Sequence, residues 1–161
     1  GDGPANITSL GRNVSLPAPI TSIPIYLRGG AIVPTQLPAA TTVAARTQDL
    51  GLWVALGPQG AEGEYYNDDG ENADAVRDGQ HVLVRFQAHT GVFKSTPLHS
   101  FAHLDAALTT LKSVTVFGVE QRPKHAQLNN VEVPHIAFNN GVLVLSGFEM
   151  NLLVANTLTW S

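Results

Sequence analysis

Short apolar runs alternate with dense glycine and proline along the chain, and the spacing is that of β-strands. From His81 to Phe86 the pattern has period two, with Val82, Val84 and Phe86 on one face and Arg85 on the other. Leu50 to Leu56 predicts a buried strand closed by Gly57-Pro58, and Glu64-Tyr65-Tyr66 another closed by the turn Asn67-Asp68-Asp69-Gly70. Val114-Thr115-Val116-Phe117 is β-branched and stops at Gly118. The clearest local signal is Ile136-Ala137-Phe138 and Val142-Leu143-Val144-Leu145 around Asn139-Asn140-Gly141, because Asn-Gly tolerates the positive φ angles of a tight hairpin. Val14-Ser15-Leu16, Ile25-Tyr26-Leu27-Arg28 and Ala31-Ile32-Val33 read as further short strands, divided by Pro17, Pro19, Pro24, Gly29, Gly30 and Pro34. Leu152-Leu153-Val154 and Leu158-Thr159-Trp160 end the series. One stretch is ambiguous: Phe101, Leu104, Leu108 and Leu111 fit either a three-turn helix or a strand followed by a loop.

Many short strands with regular turn signals predict an all-β, antiparallel sandwich architecture. Composition agrees: 161 residues, 43% hydrophobic and only 14% charged, can bury a core and do not suit disorder. A net charge of −4 without a basic stripe makes nucleic acid an unsuitable partner. No apolar run approaches the roughly 20 residues of a membrane-spanning helix, and Gly1-Asp2-Gly3-Pro4 does not open a signal peptide. The absence of cysteine removes disulfides and thiol chemistry. Asn6-Ile7-Thr8 and Asn13-Val14-Ser15 are N-glycosylation acceptor patterns, so Asn6 and Asn13 are candidate glycan sites in a secretory-pathway protein.

Candidate chemistry is sparse. Asp68, Asp69 and Glu71 form one acidic cluster, but retaining hydrolysis of a glycoside needs two carboxyls about 5 Å apart that face one sugar. Neighbours on a tight turn splay apart, so the expectation is a structural turn in which the aspartates accept from backbone N–H groups and Gly70 takes positive φ. Extended to Asn72 and Asp74, the cluster lacks the alternating ligands of a calcium loop. His99 and His103 are spaced as metal ligands on a helix would be, without a third ligand, and are read as surface or interface histidines. No nucleophile elbow supports a Ser-His-Asp triad. Arg28-Gly29-Gly30 reads as a strand end where glycine permits close backbone approach and Arg28 bonds carbonyls or a carboxylate. Trp53 and Trp160 could stack on a sugar, but tryptophan in an apolar strand is more often core. No metal or cofactor is expected.

In order along the chain, several segments carry a likeness: Val14-Ser-Leu-Pro-Ala-Pro, Ile23-Pro-Ile-Tyr-Leu-Arg-Gly-Gly-Ala-Ile-Val-Pro-Thr-Gln, Thr41-Thr42, Ala45-Arg46, Leu50-Gly-Leu-Trp-Val-Ala-Leu, Gly63-Glu-Tyr-Tyr-Asn-Asp-Asp-Gly-Glu, Ser113-Val-Thr-Val-Phe-Gly-Val and Leu158-Thr-Trp. Together they resemble family 31 glycoside hydrolases of the α-glucosidase type, in the C-terminal region that follows the catalytic (β/α)8 barrel. The resemblance implies two small antiparallel sandwiches in tandem, a proximal one over residues 1–66 and a distal one over 67–161, the first completed by strands from preceding sequence. It implies a retaining enzyme acting on maltose, maltooligosaccharides, starch or glycogen, whose two catalytic aspartates lie upstream. No position here matches either, so no catalytic residue is expected in this chain. The partner implied is a larger catalytic chain that binds the α-glucoside, with Gly1 as a processing site and an extracellular, lysosomal or vacuolar location. A stand-alone carbohydrate-binding sandwich is the alternative.

Overall fold

The computed structural model describes residues 7–8, 11 and 13–161. Eleven strands and one short helix follow one another: β1 (Ile32–Gln36), α1 (Thr42–Arg46), β2 (Leu50–Ala55), β3 (Ala61–Asp68), β4 (His81–His89), β5 (Val92–His99), β6 (Thr110–Phe117), β7 (Ala126–Leu128), β8 (Val131–Glu132), β9 (His135–Asn139), β10 (Val142–Asn151) and β11 (Asn156–Trp160). They build two sheets, one in the order β1-β2-β6-β10-β9 and the other β3-β4-β5-β11-β7-β8. The all-β, antiparallel architecture is as expected, with one exception: β2 runs parallel to β6. No helix of the described residues is long and apolar enough to cross a membrane.

Alternation decides which side chains meet between the sheets. Val82, Val84, Phe86 and Ala88 of β4 are fully buried, as are Phe93 of β5 and Leu158 of β11. Opposite them lie Val54 of β2, Leu111, Val114 and Val116 of β6, and Leu143 and Leu145 of β10. These residues form one cluster that draws on both sheets. The expected division between residues 66 and 67 falls inside β3, which runs on unbroken to Asp68. Strands from either side of that position share a sheet, since β2 pairs with β6 over its whole length. Burial of their common apolar face, rather than nearness in sequence, sets this pairing.

Local expectations fare differently by place. The 139–141 hairpin forms with Asn140 and Gly141 both at positive φ. Asn129 and Asn130, also at positive φ, make the same kind of turn between β7 and β8, two strands not anticipated. The strand β5 was hidden by Pro97, which lacks a donor; beside it the pairing with β4 skips Leu98. The ambiguous 101–111 stretch is neither proposed form: a single 3-10 turn at Ala106–Leu108, capped by Asp105, leads into β6, which claims Leu111. Val14–Leu16 and Ile25–Arg28, read as strands, form none. Their backbone donors are free to pair, but among the described residues no neighbouring strand is offered to them.

Phe86 sits at the centre of the cluster, fully buried and 5.6 Å from the ring of Phe93. Phe86→Ala should destabilise by about 3–5 kcal/mol through the cavity it leaves. Arg85→Ala, one residue away on the exposed face, removes only the solvated pair with Glu64 and should cost under about 1 kcal/mol. Denaturant unfolding of the two variants checks the contrast, and equal losses would contradict this placement of the core.

Candidate functional site

The acidic turn is a corner built from three elements. Thr41 caps α1, its hydroxyl accepting from the Ala44 N–H at 3.1 Å. The helix places Arg46 in its last turn, facing the end of β3. Arg46 Nη2 donates to Asn67 Oδ1 at 2.8 Å and to the Asp68 carbonyl, and stands 3.9 Å from Asp68 Oδ1. Gly70 lies under this guanidinium at φ +77°, where an added Cβ would come within 2.9 Å of Arg46 Nη1. Both the conformation and the space therefore require glycine.

The carboxylates of the corner are spent on the turn itself. Asp68 Oδ1 accepts from the Gly70 N–H and its Oδ2 from the Tyr66 hydroxyl, at 2.8 and 2.7 Å. Asp69 Oδ1 accepts from the N–H groups of Asn72 and Glu71, at 2.9 and 3.0 Å. Those two backbone bonds, Asn72 first, hold the Asp69 carboxyl below the ordinary aspartate range. The bond to Asp68 in turn pushes the Tyr66 hydroxyl up. This is the turn chemistry expected for Asp68, Asp69 and Gly70, and it leaves no facing carboxyl pair at the corner. Asp74 likewise bonds Arg77 at 2.8 Å and takes no part in a ligand set with Asn72, whose amide holds Gln80 at 2.8 Å. Among the described residues, no group of three His, Cys, Asp or Glu side chains could hold a metal ion.

Behind the corner, Tyr65 is buried and donates to the Leu108 carbonyl at 2.8 Å; burial raises its hydroxyl pKa. Tyr66, His81 and His99 stack in sequence, the two imidazoles only 4.0 Å apart and 8° from parallel. His99 Nδ1 lies 2.8 Å from the His81 carbonyl. His99 is thus a part-buried packing residue rather than a surface histidine. It shares no helix face with His103, which packs edge-on against Phe101. The sequence reading missed α1 and this stack; the signal for α1 was present in Thr41-Thr42, a cap and a first helical residue.

Arg28-Gly29-Gly30 makes the close approach expected of it. Gly30 N–H donates to Ala55 of the first sheet at 2.8 Å, and Gly30 carbonyl accepts from Glu62 of the second at 3.0 Å. A Cβ on Gly57 would meet the Gly30 nitrogen at 3.0 Å. Arg28 does not bind a carboxylate of the described residues: its side chain is exposed, and its carbonyl accepts from Ala31. Trp160 is core, whereas Trp53 is 40% exposed on the outer face of its sheet. Asn13 is exposed, and Asn6 lies outside the described residues.

The residues of the corner and of the Gly30 crossing are among those that carried the family likeness, and the chain as a whole can be compared with known proteins. The chain is 36% identical over 141 residues to lysosomal alpha-glucosidase of Bos taurus, covering 84% of this chain and 15% of the relative. It is 35% identical over 140 residues to glucoamylase 1 of Candida albicans, covering 86% and 14%. The chain belongs to glycoside hydrolase family 31, of the α-glucosidase type. It corresponds to a small, C-terminal-like part of such enzymes. No protein-family model matches it. Among solved structures, the Tris-bound glucosidase II alpha subunit superimposes with a TM-score of 0.74 over 91% of this chain and 18% of that one; at 19% identity this bears on the fold alone.

In this family 31 part, the Arg46 clamp is the polar contact that fixes α1 against the β3 corner. Arg46→Met keeps the stem and removes the charge-assisted bonds. It should destabilise by about 1.5–3 kcal/mol and speed proteolysis within the 69–80 loop. Thermal unfolding with mapping of the cut sites checks this, and cleavage elsewhere first would count against the clamp.

Proposed function

We propose that this chain is the non-catalytic C-terminal portion of a family 31 α-glucosidase and buttresses a catalytic barrel carried on other sequence. The observation that carries the reading is the segment 13–27. It holds Val14, Leu16, Ile20, Ile23, Ile25 and Tyr26, all exposed and outside both sheets. An apolar series of this length standing in water calls for a cover. The chain spans about 15% of the length of the curated relatives it matches, which supports a larger catalytic portion as that cover. The substrate class is terminal α-glucosidic bonds of maltose, maltooligosaccharides, starch or glycogen, by analogy with enzymes named lysosomal alpha-glucosidase, glucoamylase and sucrase-isomaltase. The contact should be obligate in size, roughly 2,000 Å² or more.

The division into a proximal and a distal unit is retained in modified form. Residues 13–30 belong with the preceding sequence, as the last segment of a unit that this sequence completes. Arg28, Gly29 and Gly30 are then the passage between that unit and the sandwich, and Asp68, Asp69 and Gly70 shape its far corner.

The 161-residue chain by itself should show no hydrolysis of maltose above background, while the longer protein that contains it hydrolyses maltose. Activity of the isolated chain would overturn the reading. Substitution of Ile23 and Ile25 by aspartate in the longer protein should lower its unfolding temperature or release a separable fragment on mild proteolysis; an unchanged protein would argue against the 13–27 contact.

The relatives include lysosomal and intestinal enzymes, which supports passage through the secretory pathway. Asn13, exposed at the head of the acceptor pattern Asn13-Val14-Ser15, is one proposed glycan site, and Asn6 is the other on its sequence pattern alone. Enzymatic deglycosylation of material from a glycosylating host should lower the mass of a peptide containing Asn13; an unchanged mass would remove this assignment.

A further inference from the structure

The outer face of the first sheet carries a groove of about 830 Å³ that none of the features above uses. Its floor crosses four strands in strict register: Thr35 pairs with Gly51, Gly51 with Ser113, and Ser113 with Ser146. Four strands at the usual spacing make this trough about 14 Å long. A Cβ on Gly51 would meet Ser113 Oγ at 2.8 Å and Thr35 Oγ1 at 3.0 Å, so the absence of a side chain there lets these two hydroxyls close over the strand and form the floor. Trp53 forms one wall. Its ring is 40% exposed and is held edge to face against Phe117, with centroids 6.1 Å apart and planes at 86°. Phe148 faces the groove from the bulged part of β10. Lys112 and Asp49, 2.9 Å apart, close one end and neutralise each other.

We propose that this groove is a binding site for an α-glucan chain. A pyranose offers an apolar C–H face and a rim of hydroxyls, which is what a propped indole face above a row of hydroxyl side chains would recognise. The lining pairs its lysine with Asp49 and adds the exposed Glu149, so it offers no unpaired cation to an anionic ligand and suits a neutral, hydroxyl-rich one. The trough runs across the strands and is open along its length, which suits a polymer or oligomer better than a single sugar. The choice of α-glucan over other neutral glycans rests on the reading that the longer protein is an α-glucosidase. A site of this kind would hold polymer near the enzyme by effective concentration without touching the reacting bond.

The test uses the longer protein that contains this chain, electrophoresed through native gels with and without soluble starch, with maltose hydrolysis measured on the same samples. Wild type should be retarded by starch, and Trp53→Ala should weaken that retention about tenfold, with maltose kcat/KM unchanged within about twofold. Ser146→Leu, which fills the floor and leaves Trp53 in place, should have the same effect and serves if Trp53→Ala does not fold. Equal retention of wild type and both variants would overturn the site. So would shielding of Trp53 from an aqueous quencher in the longer protein, since the groove would then be a domain contact. Retention in hydroxyethylcellulose gels but not in starch would overturn the ligand assignment. A protein retained by starch but inactive on maltose would defeat the α-glucosidase reading and leave the site standing.

Discussion

Gly30 is the residue on which the two sheets depend for their mutual position. Its N–H reaches Ala55 in the first sheet and its carbonyl receives Glu62 from the second, so one residue is shared by both ladders. A backbone that crosses between sheets at hydrogen-bond distance leaves no room for side chains on the residues it passes. That accounts for three glycines at once. Gly57 lies against the Gly29–Gly30 backbone, Gly63 lies against the Ile32 carbonyl, and Gly30 itself adopts φ +90°. Ala31 then bridges to Glu62 before the chain enters β1. The edge strands β1 and β3 are tied by covalent chain and by hydrogen bonds together, which also protects two edges that would otherwise be open to pairing with other chains.

The same crossing connects the sandwich to the segment that has no place in it. Immediately before Gly29 the chain leaves both sheets, and its apolar residues point into solvent. An anchored exit beside an exposed apolar run leaves that run as the largest stretch of uncovered apolar side chains among the described residues next to the crossing. The corner at Asp68 answers it at the other end of β3, where Arg46 and the stacked rings of Tyr66, His81 and His99 fix the loop that follows.

Much of this was legible in the sequence because alternation and turn chemistry are local. The strand from His81, the Asn-Gly hairpin and the Asp-Asp-Gly turn each follow from a few adjacent residues. What was not legible depended on partners far along the chain. The strand β5 was obscured by Pro97, beside which the pairing with β4 skips Leu98, a bulge in β5 itself. Nothing local marks β2 as the parallel neighbour of β6; that follows from the shared buried face of Leu52, Val54, Val114 and Val116. Val14–Leu16 and Ile25–Arg28 have strand composition without a strand, since a ladder needs a neighbour and composition cannot supply one. Trp53 defeats the general rule for tryptophan in apolar strands because its side of β2 is the outer face, and which side faces out is a property of the whole sandwich.

The carboxylates of this chain give a physical reason to look elsewhere for the chemistry. Retaining hydrolysis requires one ionised carboxylate and one protonated carboxyl facing a single glycosidic bond about 5 Å apart, and their pKa values must be driven apart by burial or by like charge. Asp69 is held in its ionised form by two backbone donors, which is the opposite of what a proton-donating carboxyl needs. Asp68 accepts from Tyr66 and lies near Arg46, and Asp49, Glu64, Asp74 and Asp78 each bond a lysine or arginine. Each of these carboxylates already has its partner within a turn or an ion pair. Such residues are well suited to fixing turns and strand pairs. Their geometry, an acceptor bound within a turn or across a strand pair, differs from that of two carboxyls converging on one glycosidic bond.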